Sequence, residues 1–321
     1  MRRQHFILYF HFAFIIFHST LLVAQLQWQN VDSLFQPLPP SVHIYRTNSP
    51  LDGKPNIAYY VEADLKDRQL EFTVDTTFKR RLTPAKFYEK NDKPLVVVNT
   101  TFFSFATNQN LNVVIKDRQL LAYNIHTVNG RGRDTFTYRH PFGSAIGISR
   151  NREADVAWLY TDSLHRFSYA MQSPRMPLKD SLVNLPYSTG QADPAFQKWK
   201  MKTAVGGGPV LLQNGEIRIT NNEELKFTGK AIDDKHPRTA MGYTKDNTLI
   251  ILVIEGRNTG KAEGATLTQE ARILKEIGCW EALNLDGGGS SCMLVNGRET
   301  IRVSDASGQR PVPAVFIIKG R

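Results

Sequence analysis

One stretch of sequence decides the fold and carries the candidate site: Asn284-Leu285-Asp286-Gly287-Gly288-Gly289-Ser290-Ser291. It ends an apolar run that predicts a buried strand from Glu281 to Leu285, and its three glycines let the backbone come close to a ligand. The successive amides and the two serine hydroxyls can form a nest that binds an anion. Taken alone, such a motif is often just a tight turn, so its weight depends on what else converges on it.

A helix leads into this strand, and a second strand precedes the helix. Residues Thr266 to Ile277 predict the helix, because its first turn fits a capping box. The earlier strand runs from Thr248 to Ile254 and ends in Glu255-Gly256-Arg257. If the two strands lie side by side and parallel, joined by the helix, Glu255 and Asp286 project at one edge of the sheet, where ligands of such sheets gather.

The polar residues near these strand ends suit a substrate that carries both a sugar and a phosphate. Two carboxylates, Asp286 and Glu255, fit acid–base or nucleophilic work on a glycosidic bond. Arg238 and Arg257 offer forked donors that match a phosphate, and His236 precedes Arg238 by two residues. Each residue alone also has an ordinary structural explanation, such as a strand-end turn or a surface histidine.

Other catalytic motifs are missing from the sequence. The Gly-Gly-Gly-Ser-Ser run lacks the Gly-x-Ser-x-Gly elbow of a serine nucleophile. No His-x-x-x-His or paired-cysteine spacing predicts zinc, and no Gly-Lys-Ser or Gly-Lys-Thr follows a glycine run. We therefore expect no metal site and no required cofactor, although carboxylates beside a phosphate are also the ligand type of calcium or magnesium.

The remaining pattern predicts an α+β fold, a single domain that is rich in mixed β-sheet and has few helices. Uninterrupted apolar runs indicate strands that are buried on both faces. Two further helices are predicted to begin at Thr83-Pro84 and at Asp193-Pro194, where a capping residue precedes a proline. The clearest strand runs are Ile57–Val61, Leu95–Val98, Leu111–Ile115, Ala145–Ile148, Leu249–Ile254 and Ala314–Ile318.

Three segments share one pattern, which is a strand end, a tight turn, another strand and a second turn. Their first turns are Val98-Asn99-Thr100-Thr101-Phe102-Phe103, Val205-Gly206-Gly207-Gly208-Pro209 and Leu285-Asp286-Gly287-Gly288-Gly289. The repetition is either ordinary hairpin grammar or the sign of three turns that meet at one pocket. In the second case, the candidate substrate-binding residues are Asn99, Thr100, Gly207, Arg257, Asn284, Gly287, Gly288 and Ser290.

The N-terminus predicts export. Met1-Arg2-Arg3 is positively charged, a mostly apolar run follows, and small residues lead to Ala24, a pattern typical of a signal peptide over residues 1–24. The alternative is a single transmembrane anchor, for which the apolar run is short. Removing residues 1–24 takes away two arginines and no acid, so the formal charge falls from +10 by 2 to +8. We expect a secreted or periplasmic protein, with an extended lead-in at 25–55 and the folded domain at 56–321.

The amino-acid composition limits the classes of molecule that the protein is expected to bind. A basic protein outside the cytoplasm can attract anionic glycans, phosphate polymers or lipid headgroups, but a solvated basic surface is the preferred explanation of the charge. No basic run with interleaved aromatics predicts a nucleic-acid site, and no later segment is apolar and long enough to span a bilayer. The two cysteines, Cys279 and Cys292, flank the glycine stretch either as one disulfide or as two buried thiols.

Seven motifs, in one order, resemble the phosphodiester glycosidase family over about residues 95–318. They are Val97-Val98-Asn99 with Phe102-Phe103, Gly206-Gly207-Gly208-Pro209-Val210-Leu211, Pro237-Arg238-Thr239-Ala240-Met241-Gly242, Glu255-Gly256-Arg257, Gly264-Ala265-Thr266-Leu267, the stretch from Ala282 to Ser291, and Arg310-Pro311-Val312-Pro313. The resemblance implies hydrolysis of a sugar-1-phosphodiester at the glycosidic C–O bond. On that basis we assign Asp286 as base or nucleophile, Glu255 as its partner, and Arg238 with His236 to the phosphate.

Three positions depart from the family pattern. Thr100-Thr101 stands where the family usually has two glycines, Glu255 where it usually has aspartate, and Gln269 where many members have glutamate. These changes leave open a non-catalytic glycan-binding module that keeps the pocket. A structural or adhesive envelope protein would explain the export signal and the charge, but not the clustered polar motifs. The sequence predicts no oligomeric state.

Overall fold

The computed structural model describes residues 25–130, 132–180 and 193–320. Strands dominate these ranges, and few helices accompany them. The strands are β1 (Gln29–Asn30), β2 (Val42–Thr47), β3 (Ala58–Asp64), β4 (Leu70–Thr76), β5 (Val96–Asn99), β6 (Val114–Lys116), β7 (Gln119–Ala122), β8 (Val128–Asn129), β9 (Tyr138–Arg139), β10 (Gly143–Ser149), β11 (Ala154–Tyr160), β12 (Ser168–Met171), β13 (Gln197–Trp199), β14 (Met201–Gly206), β15 (Val210–Gln213), β16 (Glu216–Ile217), β17 (Arg238–Thr244), β18 (Thr248–Ile254), β19 (Cys279–Asn284), β20 (Met293–Val295), β21 (Arg298–Glu299) and β22 (Ala314–Gly320). The α-helices are α1 (Pro84–Lys90), α2 (Asn221–Glu224) and α3 (Leu267–Ile277).

The described strands form three larger sheets and a two-stranded ribbon of β8 and β9. Eight strands make the first sheet, in the order β1-β2-β3-β18-β17-β19-β15-β16. The second sheet has the order β13-β12-β11-β10-β14-β6-β7, and the third has the order β21-β20-β5-β22-β4. Every ladder between described strands is antiparallel. The fold is therefore the β-rich α+β domain that the sequence predicts.

The strands that deliver Glu255 and Asp286 differ from the prediction in one respect. β18 and β19 run in the same direction but do not pair, because β17 lies between them and is antiparallel to both. A tight turn at residues 245–247 joins β17 to β18, so this local pairing takes the position beside β18. The crossover through α3 therefore skips one strand. Both strand ends still reach the same edge of the sheet.

The uninterrupted apolar runs are explained by burial on both faces of the large sheet, as predicted. In β18, alternate side chains enter two different cores. Leu249, Ile251 and Val253 join the core that the three sheets share, and Ile250, Leu252 and Ile254 join the core beneath α3. Because each face of the sheet is covered, neither set of side chains could be polar without losing burial free energy.

Two of the three predicted helices are present. α1 begins after Thr83, whose side chain accepts from the amide of Lys86, and α3 begins after Thr266 with a complete capping box. The helix predicted at Asp193-Pro194 is wrong, because these residues form a turn that leads into β13. Pairing of β13 with β12 buries Trp199 there, so tertiary packing overrides the local start signal.

Residues 25–55, predicted as an extended lead-in, take part in the fold. β1 and β2 extend the eight-stranded sheet at β3, and Phe35 enters the core that the three sheets share. Residues 1–24, predicted as a signal peptide, lie outside the described residues. Within the described ranges, no helix has the length and apolar character needed to cross a bilayer.

The two cysteines are buried free thiols. Cys279 begins β19, whereas Cys292 follows the glycine stretch at the other end of that strand. Burial raises the pKa of both thiols, so both stay protonated and unreactive at neutral pH. Of the two alternatives for the cysteines, a disulfide or two buried thiols, the structure has the two buried thiols.

Candidate active site

The three turns that share one sequence pattern meet at one junction. The amide of Gly208 donates to the carbonyl of Asn284 at 2.7 Å, and the Asn284 side chain donates back to the Gly208 carbonyl at 2.8 Å. The amide of Asp286 donates to the carbonyl of Thr100 at 2.7 Å, and the Asn99 side chain donates to the carbonyl of Asp286 at 2.6 Å. The ends of β5, β14 and β19 are thus held together, and the repetition is more than hairpin grammar.

Asp286 lies at this junction and is partly exposed. Loss of hydration raises the pKa of its carboxyl to about 7, while the Ser290 hydroxyl, the charge of Arg310 and the Gly287 amide oppose the shift. At neutral pH the carboxyl is therefore divided between its protonated and ionised forms. That division suits a group that both gives and takes a proton.

Buried polar atoms without a hydrogen-bond partner surround Asp286. Among the described residues they are the hydroxyls of Thr100 and Ser290 and the side-chain oxygen of Asn284. The Ser290 hydroxyl lies near the Asp286 carboxyl but outside the geometry of a complete hydrogen bond. Because buried polar groups in proteins are nearly always paired, such a group around a carboxyl is a place where water or a polar ligand can complete the hydrogen bonds.

Asn99 has a different position from these residues. Its Nδ2 is used by Asp286, and its Oδ1 accepts from the Thr239 hydroxyl at 3.1 Å and from the amide of Cys292 at 3.0 Å. With both ends engaged and no exposed surface, Asn99 ties β5 to the glycine stretch. It fixes the backbone of Asp286, and a direct contact with substrate stays a prediction.

Two guanidinium groups flank the triple-glycine turn. A β-carbon on Gly288 would lie 3.1 Å from Nη2 of Arg257, and one on Gly289 would lie 2.2 Å from Nη2 of Arg310. A side chain at either position would therefore displace the guanidinium group beside it. Asp305 holds Arg310 through a 2.7 Å contact between Oδ2 and Nε. Two guanidinium groups beside successive backbone amides are the donor set that an anion needs, although Arg310 is already paired with Asp305.

Arg257 is the more exposed of the two cations. Its backbone has a φ of 59°, a left-handed conformation that costs roughly 1 kcal/mol or more and occurs often at functional sites. His236 contacts it, with 3.3 Å between Nη2 of Arg257 and Nδ1 of His236. Burial and the charges of Arg238 and Arg257 lower the pKa of His236, so the ring is neutral and accepts from the guanidinium. His236 thus orients Arg257.

Arg238 lies beneath the turn. Its Nε donates to the carbonyl of Ala265 at 2.8 Å, and its Nη2 donates to the carbonyl of Asp234 at 2.9 Å. Its charge also acts on Glu270, whose carboxyl is fully buried and has no hydrogen-bond partner among the described residues. Burial raises the pKa of Glu270 to about 8. Most of the Arg238 guanidinium is therefore engaged with the fold, and its predicted contact with phosphate stays a prediction.

Glu255 is buried and bonded at the same edge of the sheet. Its carboxylate accepts from Nδ2 of Asn258 at 2.8 Å and from the amide of Arg302 at 3.1 Å. Since β17 lies between β18 and β19, the backbones that carry Glu255 and Asp286 are two strand spacings apart, roughly 9–10 Å. The two carboxyl groups thus start from strand ends that are not neighbours, and the hydrogen bonds of Glu255 go to Asn258 and Arg302.

The turn at Gly206–Gly208 closes around a different carboxylate, Glu224. Gly207 supports the junction from below, because its amide donates to the Ser144 carbonyl at 3.0 Å and its carbonyl accepts from Asn112 at 3.2 Å. Glu224 is buried and accepts five hydrogen bonds. Their donors are the amide and hydroxyl of Ser144, the indole of Trp158, the amide of Val210 and the hydroxyl of Thr220.

A cavity of about 500 Å³ opens beside Arg257. Its walls are the segment 256–259 and residues between 299 and 308, which include Asp305, the partner of Arg310. Cavities of this size accept a small organic ligand. Arg257 lines this space directly, whereas Arg310 is connected to it through its partner Asp305.

No group of three histidine, cysteine, aspartate or glutamate side chains in the described part of the chain could hold a metal ion. The donors around Asp286 are instead hydroxyls, amides and guanidinium groups. That donor set suits an anionic organic ligand, and the expectation that no cofactor is required stays a prediction.

Arg310 and Asp305 are the site residues that the sequence analysis missed. Arg310 stands in the closing motif Arg310-Pro311-Val312-Pro313, which is a usable signal. Asp305 carries no such signal, because only the folded chain brings its carboxylate to the guanidinium of Arg310.

Known proteins share these features. Among curated proteins, the chain is 39% identical over 71 residues to the SPbeta prophage-derived uncharacterized protein YomE of Bacillus subtilis, a stretch that covers 22% of this chain and 11% of that protein. It is 32% identical over 95 residues to N-acetylglucosamine-1-phosphodiester alpha-N-acetylglucosaminidase of Mus musculus, covering 27% of this chain and 18% of that enzyme. The chain thus spans less than a fifth of the length of either relative.

The fold is also similar to a solved one. The catalytic domain of the zebrafish N-acetylglucosamine-1-phosphodiester alpha-N-acetylglucosaminidase has a TM-score of 0.57 and 20% identity, over 93% of this chain and 89% of that one. At this identity the likeness shows the fold alone. The family model described as phosphodiester glycosidase matches residues 92–319, which is more than half of the chain and contains the whole junction around Asp286. This chain therefore belongs to the phosphodiester glycosidase family.

Proposed function

We propose that the protein is an exported hydrolase that cleaves the glycosidic bond of a sugar-1-phosphodiester in an envelope or extracellular glycan. The observation that carries the proposal is the carboxyl of Asp286, with a pKa of about 7, beside a glycine turn flanked by two guanidinium groups. A carboxyl that exchanges protons suits the anomeric carbon, and the positive turn suits the phosphate. Membership of the family supports the hydrolase class.

The leaving group explains how one such carboxyl beside an anion site can be sufficient. A phosphomonoester departs as an anion, so it needs less protonation than an alcohol does. Arg257, Arg310 and the amides of the glycine turn would stabilise the charge that grows on this group as the C–O bond breaks. Asp286 would take a proton from the attacking water or attack the anomeric carbon itself. Thr100, Asn284 and Ser290 would bind sugar hydroxyls with their free polar atoms.

The distance between the two strand ends bears on the stereochemical course. Inverting glycosidases keep their carboxyl groups roughly 6.5–9.5 Å apart, whereas retaining enzymes keep them roughly 5 Å apart. The backbones that carry Glu255 and Asp286 are two strand spacings apart, which leaves room for the wider, inverting separation if Glu255 takes part. The anomer first released, followed by proton NMR at the start of the reaction, tests this assignment.

Export rests on the sequence of residues 1–24. If these residues are a signal peptide, the protein recovered from the periplasm or the medium begins near Gln25. N-terminal mass spectrometry of that protein tests the cleavage. A full-length N-terminus in a membrane fraction would instead support the anchor.

A non-catalytic glycan-binding module is the competing function. It is favoured by Thr100 and Glu255, which depart from the usual family residues beside the junction and at the neighbouring strand end. The third departure, Gln269, has a structural explanation, because it completes the cap of α3 and its side chain donates to Asp52 at 2.7 Å. This residue therefore does not separate the two functions.

A substrate panel distinguishes them. The purified protein is incubated with sugar-1-phosphodiesters that differ in sugar and aglycone, and release of the phosphomonoester is measured. We expect hydrolysis by the native protein and a loss of about 10³-fold in Asp286→Asn, because the carboxyl that transfers the proton is gone. The matched control is Asp246→Asn, which changes an exposed carboxyl in the β17–β18 turn at the opposite edge of the same sheet.

Each outcome has a distinct meaning. Hydrolysis that Asp286→Asn leaves unchanged contradicts the assigned role of Asp286. Saturable binding by the native protein without any product supports the binding module. If the native protein neither binds nor hydrolyses any member of the panel, the result supports the structural or adhesive envelope protein.

A further inference from the structure

Exposed aromatic and basic side chains form a continuous surface beside the candidate site. We call it the aromatic–basic face. Several of its members are large apolar or aromatic side chains with much of their surface in solvent, at 78% for Phe78, 64% for Phe105, 43% for Leu121 and 40% for Tyr123. Its basic members are Lys79, Arg80 and Arg81, which follow Phe78 in the chain.

Three segments build this face, and contacts join them. The turn at residues 77–80 and the end of β7 line one groove of about 510 Å³, together with Gln109 and Asn110. Nδ2 of Asn110 donates to the Thr76 hydroxyl at 2.9 Å, which fixes the loop that carries Phe105 to the turn. The guanidinium carbon of Arg81 lies 5.2 Å from the centre of the Phe105 ring. Phe78, Phe105 and Leu121 therefore share one side of the molecule.

The turn that presents Phe78 is rigid at its base. The Thr77 amide donates to the Pro313 carbonyl at 2.8 Å, and the Thr77 hydroxyl donates to the carbonyl of Arg80. Lys79 has a φ of 53° at the tip. A closed turn of this kind holds one aromatic side chain and two cations outward at low entropic cost.

The charge of the face is of one sign. Segments 76–81, 102–111 and 119–125 contain three cations and no carboxylate. Within the described residues, neither Lys79, Arg80 nor Arg81 forms an ion pair. Such a surface attracts anions and repels a second copy of itself, since a symmetric contact would bring like charges together.

The face adjoins the site through Arg310. The guanidinium carbon of this residue lies 5.5 Å from the centre of the Phe105 ring, while its Nη2 packs against Gly289 of the glycine turn. Any external surface that binds the aromatic–basic face therefore lies close to the glycine turn beside Asp286. A substrate held in that external surface would reach the candidate site without first dissociating from the surface.

We propose that the aromatic–basic face docks the protein on an anionic lipid bilayer. Aromatic side chains that enter the interface, combined with Lys and Arg that meet anionic headgroups, are the features of proteins that lie on a membrane surface. The proposal rests on exposed phenylalanines beside cations that contact aromatic rings and form no ion pair with any described residue, because a solvated basic surface alone has no need of exposed rings. It goes beyond the proposed hydrolase function and does not depend on it.

The test uses sedimentation with vesicles. The full chain is mixed with vesicles of phosphatidylcholine alone or with added phosphatidylglycerol, and the bound fraction is measured. We expect binding that requires phosphatidylglycerol and weakens as salt is raised. The double variant Lys79→Glu/Arg80→Glu should lose roughly tenfold or more in partitioning, and Phe78→Ser about tenfold.

The control variants change exposed residues of similar character elsewhere, with two basic residues for two and one apolar residue for one. Lys198→Glu/Lys200→Glu alters two exposed lysines at β13, the opposite edge of the sheet that ends in β7, and Leu164→Ser alters a side chain with 87% exposure. Both should bind vesicles like the native chain, and thermal unfolding of all variants should coincide.

Several results would overturn the proposal. They are the absence of native binding to phosphatidylglycerol vesicles, equal binding to neutral vesicles, or equal losses in the face variants and the controls. A concentration-dependent dimer that Phe78→Ser abolishes would assign the face to a second copy instead. Because no step of this test measures hydrolysis, its failure is distinguishable from failure of the proposed function.

Discussion

Two glycine turns of nearly the same sequence do opposite work in this molecule. Gly206–Gly208 follows β14 and Gly287–Gly289 follows β19, and each turn lies beside a buried or half-buried carboxylate. At the first turn, Glu224 accepts five hydrogen bonds. At the second, Asp286 has a raised pKa and is surrounded by polar atoms that lack partners among the described residues.

The difference lies in hydrogen-bond satisfaction and not in the glycines. A carboxylate that receives all the donors around it stabilises a fold, because each donor would otherwise be buried unpaired. A carboxylate that receives few of them keeps capacity for a ligand and for a proton. The pattern of strand end and glycines therefore builds both a structural joint and the proposed reactive site. The three predictions below test that division, beginning with the largest expected effect.

Removal of the Glu224 carboxylate, which accepts a full set of hydrogen bonds, should have the largest effect on stability. In Glu224→Ala, five donors lose their acceptor, and we expect the free energy of unfolding to fall by about 3–5 kcal/mol. Urea unfolding measures the loss. Glu224→Gln is the matched control, because its amide oxygen still accepts and the loss should be smaller. A loss below about 1 kcal/mol in the alanine variant would contradict a structural role for this carboxylate.

Displacement of one guanidinium at the reactive turn should lower activity more than stability. In Gly289→Ala, the new methyl group would lie 2.2 Å from Nη2 of Arg310, so the flexible end of that side chain must move. We expect kcat/KM to fall roughly 10² -fold at nearly constant unfolding free energy, since a donor aimed at the departing group is misplaced. Gly320→Ala, where a β-carbon meets nothing within 4 Å, is the control. Unchanged activity in Gly289→Ala would remove Arg310 from the site.

The raised pKa of Asp286 should produce the smallest effect, visible as a dependence of stability on pH. Its folded pKa of about 7 exceeds the unfolded value of 3.8, so its favourable contribution is complete below about pH 4 and is lost as pH rises through 7. Asp286→Asn lacks this loss. Between pH 5 and 8, the free energy of unfolding of the variant should therefore rise by roughly 1–2 kcal/mol relative to that of the native chain, after allowance for the partial exposure of Asp286.

Urea unfolding of both proteins at four pH values between 5 and 8 measures the difference. Glu270, with a pKa of about 8, titrates in both proteins, so its contribution cancels. Parallel stability curves for the two proteins would show that the Asp286 carboxyl is not perturbed. The pH dependence of kcat/KM in the native chain should then also lack a limb near 7.

Local signals explain what the sequence could predict. The capping box at Thr266 and the apolar run of β18 are each contained in a few residues, and the structure has both. The repeated turn pattern leaves open whether the three turns meet, and the hydrogen bonds between them show that they do. The family pattern identifies Asp286 and its glycines without any knowledge of the sheet.

Non-local pairing explains what it could not predict. The position of β17 between β18 and β19 depends on which strands pair, and no local pattern records that choice. The same holds for Arg238, whose guanidinium is largely consumed by backbone carbonyls that are brought to it only in the folded chain. Arg310 takes the place at the glycine turn, because its partner Asp305 holds it there.

The junction of the three turns also sets when the site can form during folding. The hydrogen bond between Asn99 and Asp286 joins residues 187 positions apart, and that between Asn284 and Gly208 joins residues 76 apart. Contacts with such long loops are entropically costly and form slowly. The junction around Asp286 therefore cannot form until the final quarter of the chain has joined the earlier strands, and no fragment that lacks one of the three turns can contain it.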